Sequence, residues 1–240
     1  MSTPTPRVYG LIAAAGKGTR LGAELPKAYV EVHGRSLLAR SVQGMITADI
    51  VDELIIVVAP SMEDYARSLL AEFDFPMRWV HGRGERADSV WAGLQTIKDP
   101  DAVVLVHDAA RAFTPPGMIA RVARKVLDGA DAVLPVLPVA DTIKQVSGDF
   151  VTATPVRQQL RIAQTPQGFR VGLLQAANTA YFAGPTTFEA TDDASLMEWY
   201  GVPVACVPGD PMALKITTPM DFTLAQAVTA TVEPTVYEVK

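Results

Sequence analysis

Apolar residues in this chain arrive in short unbroken runs, and each run hands over to a stretch in which apolar positions return every three or four residues. VYGLIAA (8–14) is followed by such a stretch over Ser36 to Ile46, ELIIVVA (53–59) by Met62 to Phe73, MRWV (77–80) by Glu85 to Ile97, and AVVLVH (102–107) by Pro116 to Leu127; AVLPVL (132–137) comes next. Runs rich in Val and Ile suit a pleated surface and the longer period suits one buried helix face, so the pattern predicts strands alternating with helices. Right-handed crossovers then build a mainly parallel sheet, in which the near-continuously apolar ELIIVVA and AVVLVH read as strands covered on both faces. The expected fold is α/β with a single doubly wound, mainly parallel sheet. Such sheets bind ligands at the carboxyl ends of their strands. That singles out residues 14–28, 82–89 and 107–114, each carrying arginine together with glycine or an acid.

The alternation stops between Val139 and Gln164. There, DTIKQVSGDFVTATPVRQQL reads as two short strands around a Ser147-Gly148-Asp149 turn, a protruding β-hairpin arm over residues 139–164. An isolated hairpin is marginal in water, so a second copy of the chain is the expected cover, which makes a homodimer. ATDDASLMEWYG predicts a helix with Thr191 at or beside its N-cap and Gly201 as its stop. ALKITTPMDFTLAQAV predicts a strand and then a helix capped by Thr218 with Pro219 at its first position. The domain reading is one unit over residues 1–230 and a tail over 231–240.

Composition narrows the setting. The chain has 240 residues, 49% of them hydrophobic and 20% charged, with a formal net charge of -5, so no basic field for nucleic acid exists and any cations must act locally. Cys206 is the single cysteine, which excludes an internal disulfide; within PVACV it reads as a buried strand residue. MSTPTPRVYG lacks the apolar core of a signal peptide, and no run has the roughly 18 apolar residues of a membrane span, so the expected location is the cytoplasm, away from membranes. His33, His81 and His107 show no metal-ligand spacing and read as structural.

LIAAAGKGTRLGAELPKAYV (11–30) holds the candidate chemistry. Its glycines, Gly16, Gly18 and Gly22, miss the dinucleotide spacing G-x-G-x-x-G by one place, and the P-loop pattern is absent. Gly16 and Gly18 allow a tight turn whose N–H groups can point at phosphate oxygens, Arg20 adds a phosphate-shaped fork and Lys27 a point charge. The loop suits a polyphosphate; a flexible surface loop with solvated charges is the bland alternative. Asp108 and Arg111 in VHDAARAF stand just past a strand, where Asp108 could coordinate a metal, orient a hydroxyl or merely cap a turn. In GERADSV, Arg86, Asp88 and Ser89 open a helix, and capping by Asp88 or Ser89 competes with ligand contact.

The pattern A-A-A-G-x-G-x-R-x(5)-P-K over Ala13–Lys27 resembles the signature of sugar nucleotidyltransferases. With GERADSVWAGL (84–94), VHDAARAF (106–113), TPQGF (165–169) and TDDASLME (191–198), the chain is similar to the 2-C-methyl-D-erythritol 4-phosphate cytidylyltransferase family over roughly residues 8 to 228. The resemblance implies a Rossmann-like nucleotidyltransferase fold and cytidylyl transfer from CTP to a sugar-alcohol phosphate in non-mevalonate isoprenoid synthesis, with Mg²⁺ or another divalent ion. It implies Arg20, Lys27 and Lys215 as catalytic cations and Ala14, Ala15, Gly16, Gly18, Gly82 and Ser89 as nucleotide-binding residues. It further implies acceptor contacts from Asp108, Arg111, Thr142, Arg157, Thr165 and Thr191, with Asp108 also a candidate metal ligand and Arg157 a contributor to a partner's site. Alternatives left open are a D-ribitol 5-phosphate cytidylyltransferase and a nucleotide-binding regulatory subunit without turnover. Arg83 stands where the family commonly has glycine or a small acid.

Overall fold

The computed structural model describes residues 5–16, 25–230 and 233–236. In chain order its strands are β1 (Val8–Ala13), β2 (Glu31–Val32), β3 (Arg35–Ser36), β4 (Glu53–Val58), β5 (Met77–His81), β6 (Val103–Asp108), β7 (Ala132–Pro138), β8 (Gln145–Ser147), β9 (Phe150–Ala153), β10 (Arg161–Ala163), β11 (Gln167–Arg170) and β12 (Val204–Pro208). The helices are α1 (Leu37–Thr47), α2 (Glu63–Leu70), α3 (Arg86–Leu94), α4 (Pro116–Leu127), α5 (Val171–Phe182), α6 (Asp193–Trp199) and α7 (Pro219–Thr229). The expected alternation from β1 to β7 is therefore present.

The central sheet runs β10-β7-β11-β6-β1-β4-β5, with β12 also paired to β7. β5, β4, β1 and β6 are mutually parallel, β12 is parallel to β7, and β11 lies antiparallel between β6 and β7. Leu54 to Val58 of β4 have no exposed surface, because successive side chains enter different cores. Ile12, Leu54, Ile56 and Val58 pack with α1, α2 and α4. Leu11, Ile55 and Val57 pack on the opposite face with α3, α5 and α6. The fold is a mainly parallel mixed sheet with helices on both faces.

Local chemistry fixes the helix starts. The Ser36 hydroxyl accepts the Ala39 N–H at 3.1 Å, the Asp192 carboxylate accepts that of Ser195 at 2.8 Å, and the Thr218 hydroxyl accepts that of Asp221 at 3.2 Å. The α6 cap is thus Asp192, one residue after Thr191. β8 and β9 form the expected hairpin, turning at Gly148, whose φ is 56°, with every strand residue exposed.

Three expectations need correction. ALKITT forms no strand: after a short 3-10 turn at Pro211–Ala213 the segment pairs with no strand among the described residues, and the Ile216 N–H donates to the loop carbonyl of Ala110 at 2.9 Å. Cys206 does lie on a strand, yet it is exposed, because β12 borders the sheet and pairs with β7 alone. Residues 233–236 are not a loose tail: Pro234 and Thr235 are buried in a 3-10 turn against α1, and Glu233 pairs with the buried Arg40.

Candidate active site

The three loops singled out by topology meet. At the carboxyl ends of β1 and β6 they surround a cleft of about 530 Å³, lined by Ala13 to Gly16, Lys27, Ala28, Gly84 to Arg86, Ser89, Asp108 to Ala110, and Lys215. β1 and its neighbours fix the backbone that leads to Gly16, since the Ala14 N–H donates to Val57 O at 2.8 Å and the Ala109 N–H to Ala13 O at 3.3 Å. Gly18 and Arg20 lie outside the described residues. Lys27 begins a 3-10 turn whose Tyr29 is buried, and this anchors the cation's backbone at the cleft wall.

The wall formed by residues 82–89 is tied to itself. A Cβ on Gly82 would collide with the Ala15 methyl and stand 2.8 Å from the Ser89 hydroxyl, so only glycine permits the two loops to touch. The Ser89 hydroxyl accepts the Arg83 N–H at 3.1 Å and donates to Arg83 O at 3.0 Å, while the Asp88 carboxylate accepts the Glu85 N–H at 2.9 Å. Both side chains thus shape the turn, and Ser89 also faces the cleft.

The cleft floor carries a chain of charges. Asp108, at the end of β6, receives the Arg86 Nε–H at 2.9 Å on one oxygen and Lys215 Nζ at 2.6 Å on the other. Arg86 donates through Nη1 to Asp193 at 2.9 Å, joining α3 to the first turn of α6. Burial by itself would raise the Asp108 pKa; Arg86 and Lys215 outweigh it and hold the carboxyl well below the usual range. Asp193 goes the other way, since burial exceeds the help it receives from Arg86 alone. Burial works against the Arg86 charge, but the two carboxylates hold its pKa above the ordinary value. Among the described residues, no group of three or more His, Cys, Asp or Glu gathers as a metal centre.

The remaining predicted residues divide. Thr165 is buried behind Asp108, its hydroxyl accepting the Asp108 N–H at 3.1 Å and bonded to His107 Nδ1 at 3.0 Å. His107 is structural, with burial pushing it down to about 4. Arg111 turns from the cleft and donates to Ala213 O at 2.7 Å and Ala163 O at 3.1 Å. Thr191 bonds to Ser195, and Arg157 donates to Ala140 O at 2.9 Å in an exposed segment near the exposed Thr142. Neither Thr142 nor Arg157 lines the cleft of this chain. Two residues that join the site, Arg86 and Asp193, have no role in the sequence reading. An arginine in the first turn of a helix resembles a solvated charge, and its partner is 107 positions away.

The chain matches the sequence pattern of the 2-C-methyl-D-erythritol 4-phosphate cytidylyltransferase family over residues 8–231. It is 63% identical to a protein of that name from Corynebacterium diphtheriae over 238 residues, 97% of this chain and 98% of the relative. The crystal structure of 4-diphosphocytidyl-2C-methyl-D-erythritol synthase from Anaerococcus prevotii superposes with a TM-score of 0.83 at 30% identity, covering 94% of this chain and 97% of the other. That of the Thermus thermophilus 2-C-methyl-D-erythritol 4-phosphate cytidylyltransferase gives 0.74 at 34% identity, covering 93% and 99%. Fold, family pattern and sequence agree over nearly the whole length: the chain belongs to the 2-C-methyl-D-erythritol 4-phosphate cytidylyltransferase family.

Proposed function

We propose that this chain transfers a cytidylyl group from CTP to 2-C-methyl-D-erythritol 4-phosphate, releasing pyrophosphate. The observation that carries the reading is the convergence, on one cleft, of Gly16, Lys27, Asp108 and Lys215. A phosphate oxygen of the acceptor attacks the α-phosphorus in line; the new P–O bond forms as the bond to the bridging oxygen breaks, and its electron pair leaves with pyrophosphate. The attacking oxygen is already ionised, so no protein base is needed. The work is to bring two anions together and to neutralise charge growing on the bridging oxygen, which fixed cations do. Lys27 and Lys215 serve there, joined by Arg20. Ala14 to Gly16, Gly18, Gly82 and Ser89 accommodate the nucleotide, and Asp108 orients the acceptor hydroxyls.

One carboxylate, already held by Arg86 and Lys215, does not make a resident metal site, but Mg²⁺ commonly binds through one or two carboxylates plus substrate phosphates. A Mg²⁺ ion carried in on the triphosphate would be held by Asp108 together with substrate phosphates and would supply further neutralising charge. We also propose a cytoplasmic homodimer built through the 139–164 segment, with Thr142 and Arg157 serving the partner's cleft. The exposure of Val146, Phe150 and Val151 on the hairpin supports it. No helix among the described residues is long and apolar enough to cross a membrane.

The test is to follow pyrophosphate with Mg²⁺, each of the four ribonucleoside triphosphates, and either methylerythritol phosphate or D-ribitol 5-phosphate. Release with CTP and methylerythritol phosphate is expected. CTP binding without release, or a preference for ribitol phosphate, would overturn the reading.

A further inference from the structure

Lys215 sits on a segment that no sheet ladder holds, yet its Nζ must stand at a defined point above Asp108. Between β12 and α7 the backbone is tied at few places. The Gly209 N–H donates to Val136 O at 2.9 Å and the Ile216 N–H to Ala110 O at 2.9 Å. Between them stands Gln164, a side chain only 2% exposed, in the connection from β10 to β11. Its Oε1 accepts the Asp210 N–H at 2.9 Å and its Nε2 donates to Asp210 O at 2.8 Å, so one amide pairs with both backbone groups of a residue 46 positions away. Its own N–H donates to Pro135 O at 2.9 Å, which anchors the amide to β7. Gly209 leaves the space: a Cβ there would overlap Gln164 Oε1 and lie 3.1 Å from the Val136 carbonyl.

We propose that Gln164 is a positioning residue for Lys215, clamping the 209–216 segment to the sheet so that the ammonium is held 2.6 Å from Asp108 before substrates bind. The catalytic half of this inference rests on the cytidylyl-transfer reading. The amide makes the start of the loop part of the sheet, and the six residues from Asp210 to Lys215 carry that position to the cleft.

The experiment pairs Gln164→Leu with Lys215→Ala and the double variant, each checked for folding by circular dichroism. Gln164→Leu is expected to lower kcat and kcat/KM together by about tenfold to a hundredfold, as misplacement of a transition-state group does. The double variant is expected to stay within about twofold of Lys215→Ala, since a residue acting through Lys215 has nothing left to act on. Independently of turnover, reductive methylation of Lys215, followed by mass spectrometry, should run several-fold faster in Gln164→Leu than in the parent, because the amine is released from Asp108. Multiplicative losses in the double variant, or unchanged labelling, would overturn the inference. If the parent releases no pyrophosphate, the transfer reading fails while the labelling still decides the clamp. Gln164→Glu, of equal size, carries the same comparison if Gln164→Leu does not fold; failure of both makes Gln164 a folding determinant instead and ends the proposal.

Discussion

The floor of the cleft buries charge, whereas the β8–β9 hairpin exposes apolar side chains. Arg86, Asp108 and Asp193 are linked by bonds of 2.9 Å, with both acidic residues buried. Phe150 on the hairpin is 79% exposed, and Val146 and Val151 are each 60% exposed. Both arrangements run against ordinary sorting. In the cleft the buried carboxylates hold cations in place before an anion arrives, so little reorganisation is needed when charge develops. On the hairpin, by contrast, nothing among the described residues covers the apolar surface. One region pairs its buried charges within the chain and the other leaves apolar side chains exposed, and substitutions can test that difference.

The largest expected effect on stability follows from removing the shared cation. Arg86→Met leaves Asp193 buried without its partner and Asp108 with Lys215 alone, and should destabilise the fold by about 3 to 5 kcal/mol. Urea unfolding measures this. A loss below about 1 kcal/mol would mean that the charges are solvated and that the floor is not the rigid element described.

Next comes a cation of the cleft wall. Lys27→Ala should lower turnover by at least about a hundredfold with the fold intact, in the range seen when one transition-state donor is deleted. Near-normal turnover in the folded variant would remove Lys27 from the mechanism and with it the contrast between binding cations and structural ones.

A third carboxylate separates charge pairing from hydrogen bonding. Asp221, at the start of α7, has no cation partner among the described residues, yet its carboxylate accepts the Thr217 N–H, the Thr217 hydroxyl and the Thr218 N–H, each at 2.8 Å. Burial opposes its ionisation; those donors overcome the opposition and hold the pKa at about 2. Because the folded value lies below the unfolded one of about 3.9, its contribution is whole above pH 4 and is lost as pH falls toward 2. With solvent screening it amounts to about 1 to 2 kcal/mol. Asp221→Asn should therefore flatten the pH dependence of the urea midpoint between pH 4 and 2, and an unchanged slope would refute the assignment.

What the sequence made legible follows the same divide between local and distant causes. β1, β4 and β6 announce themselves through unbroken apolar runs, and the loops after them are placed by a topological rule, so the meeting of Gly16, Ser89 and Asp108 was foreseeable. The caps at Asp192 and Thr218 are local chemistry too. ALKITT has strand composition around Lys215, but a strand needs a partner to pair with, which no local pattern reports. β11 escaped notice for the related reason that its four residues, QGFR, gain their place from β6 and β7. Arg86 and Gln164 have partners 107 and 46 positions away, and their roles exist only once the chain is folded.

The smallest effect on folding belongs to the hairpin, and there the comparison is sharpest. Phe150→Ser removes a side chain that buries little in one protomer, so the urea midpoint at low protein concentration should move by less than about 0.5 kcal/mol. If a second copy covers the hairpin, the same substitution removes a buried phenylalanine from the interface, where burial contributes about 1.5 to 3 kcal/mol per side chain. A two-fold interface would count that loss twice. Sedimentation of both proteins across a concentration series should then show dissociation at a concentration higher by about a hundredfold or more in the variant. A variant that associates like the parent would place the partner surface elsewhere and leave Phe150 exposed without a function in assembly. A large loss of folding stability in the dilute monomer would instead show that the hairpin packs on its own chain.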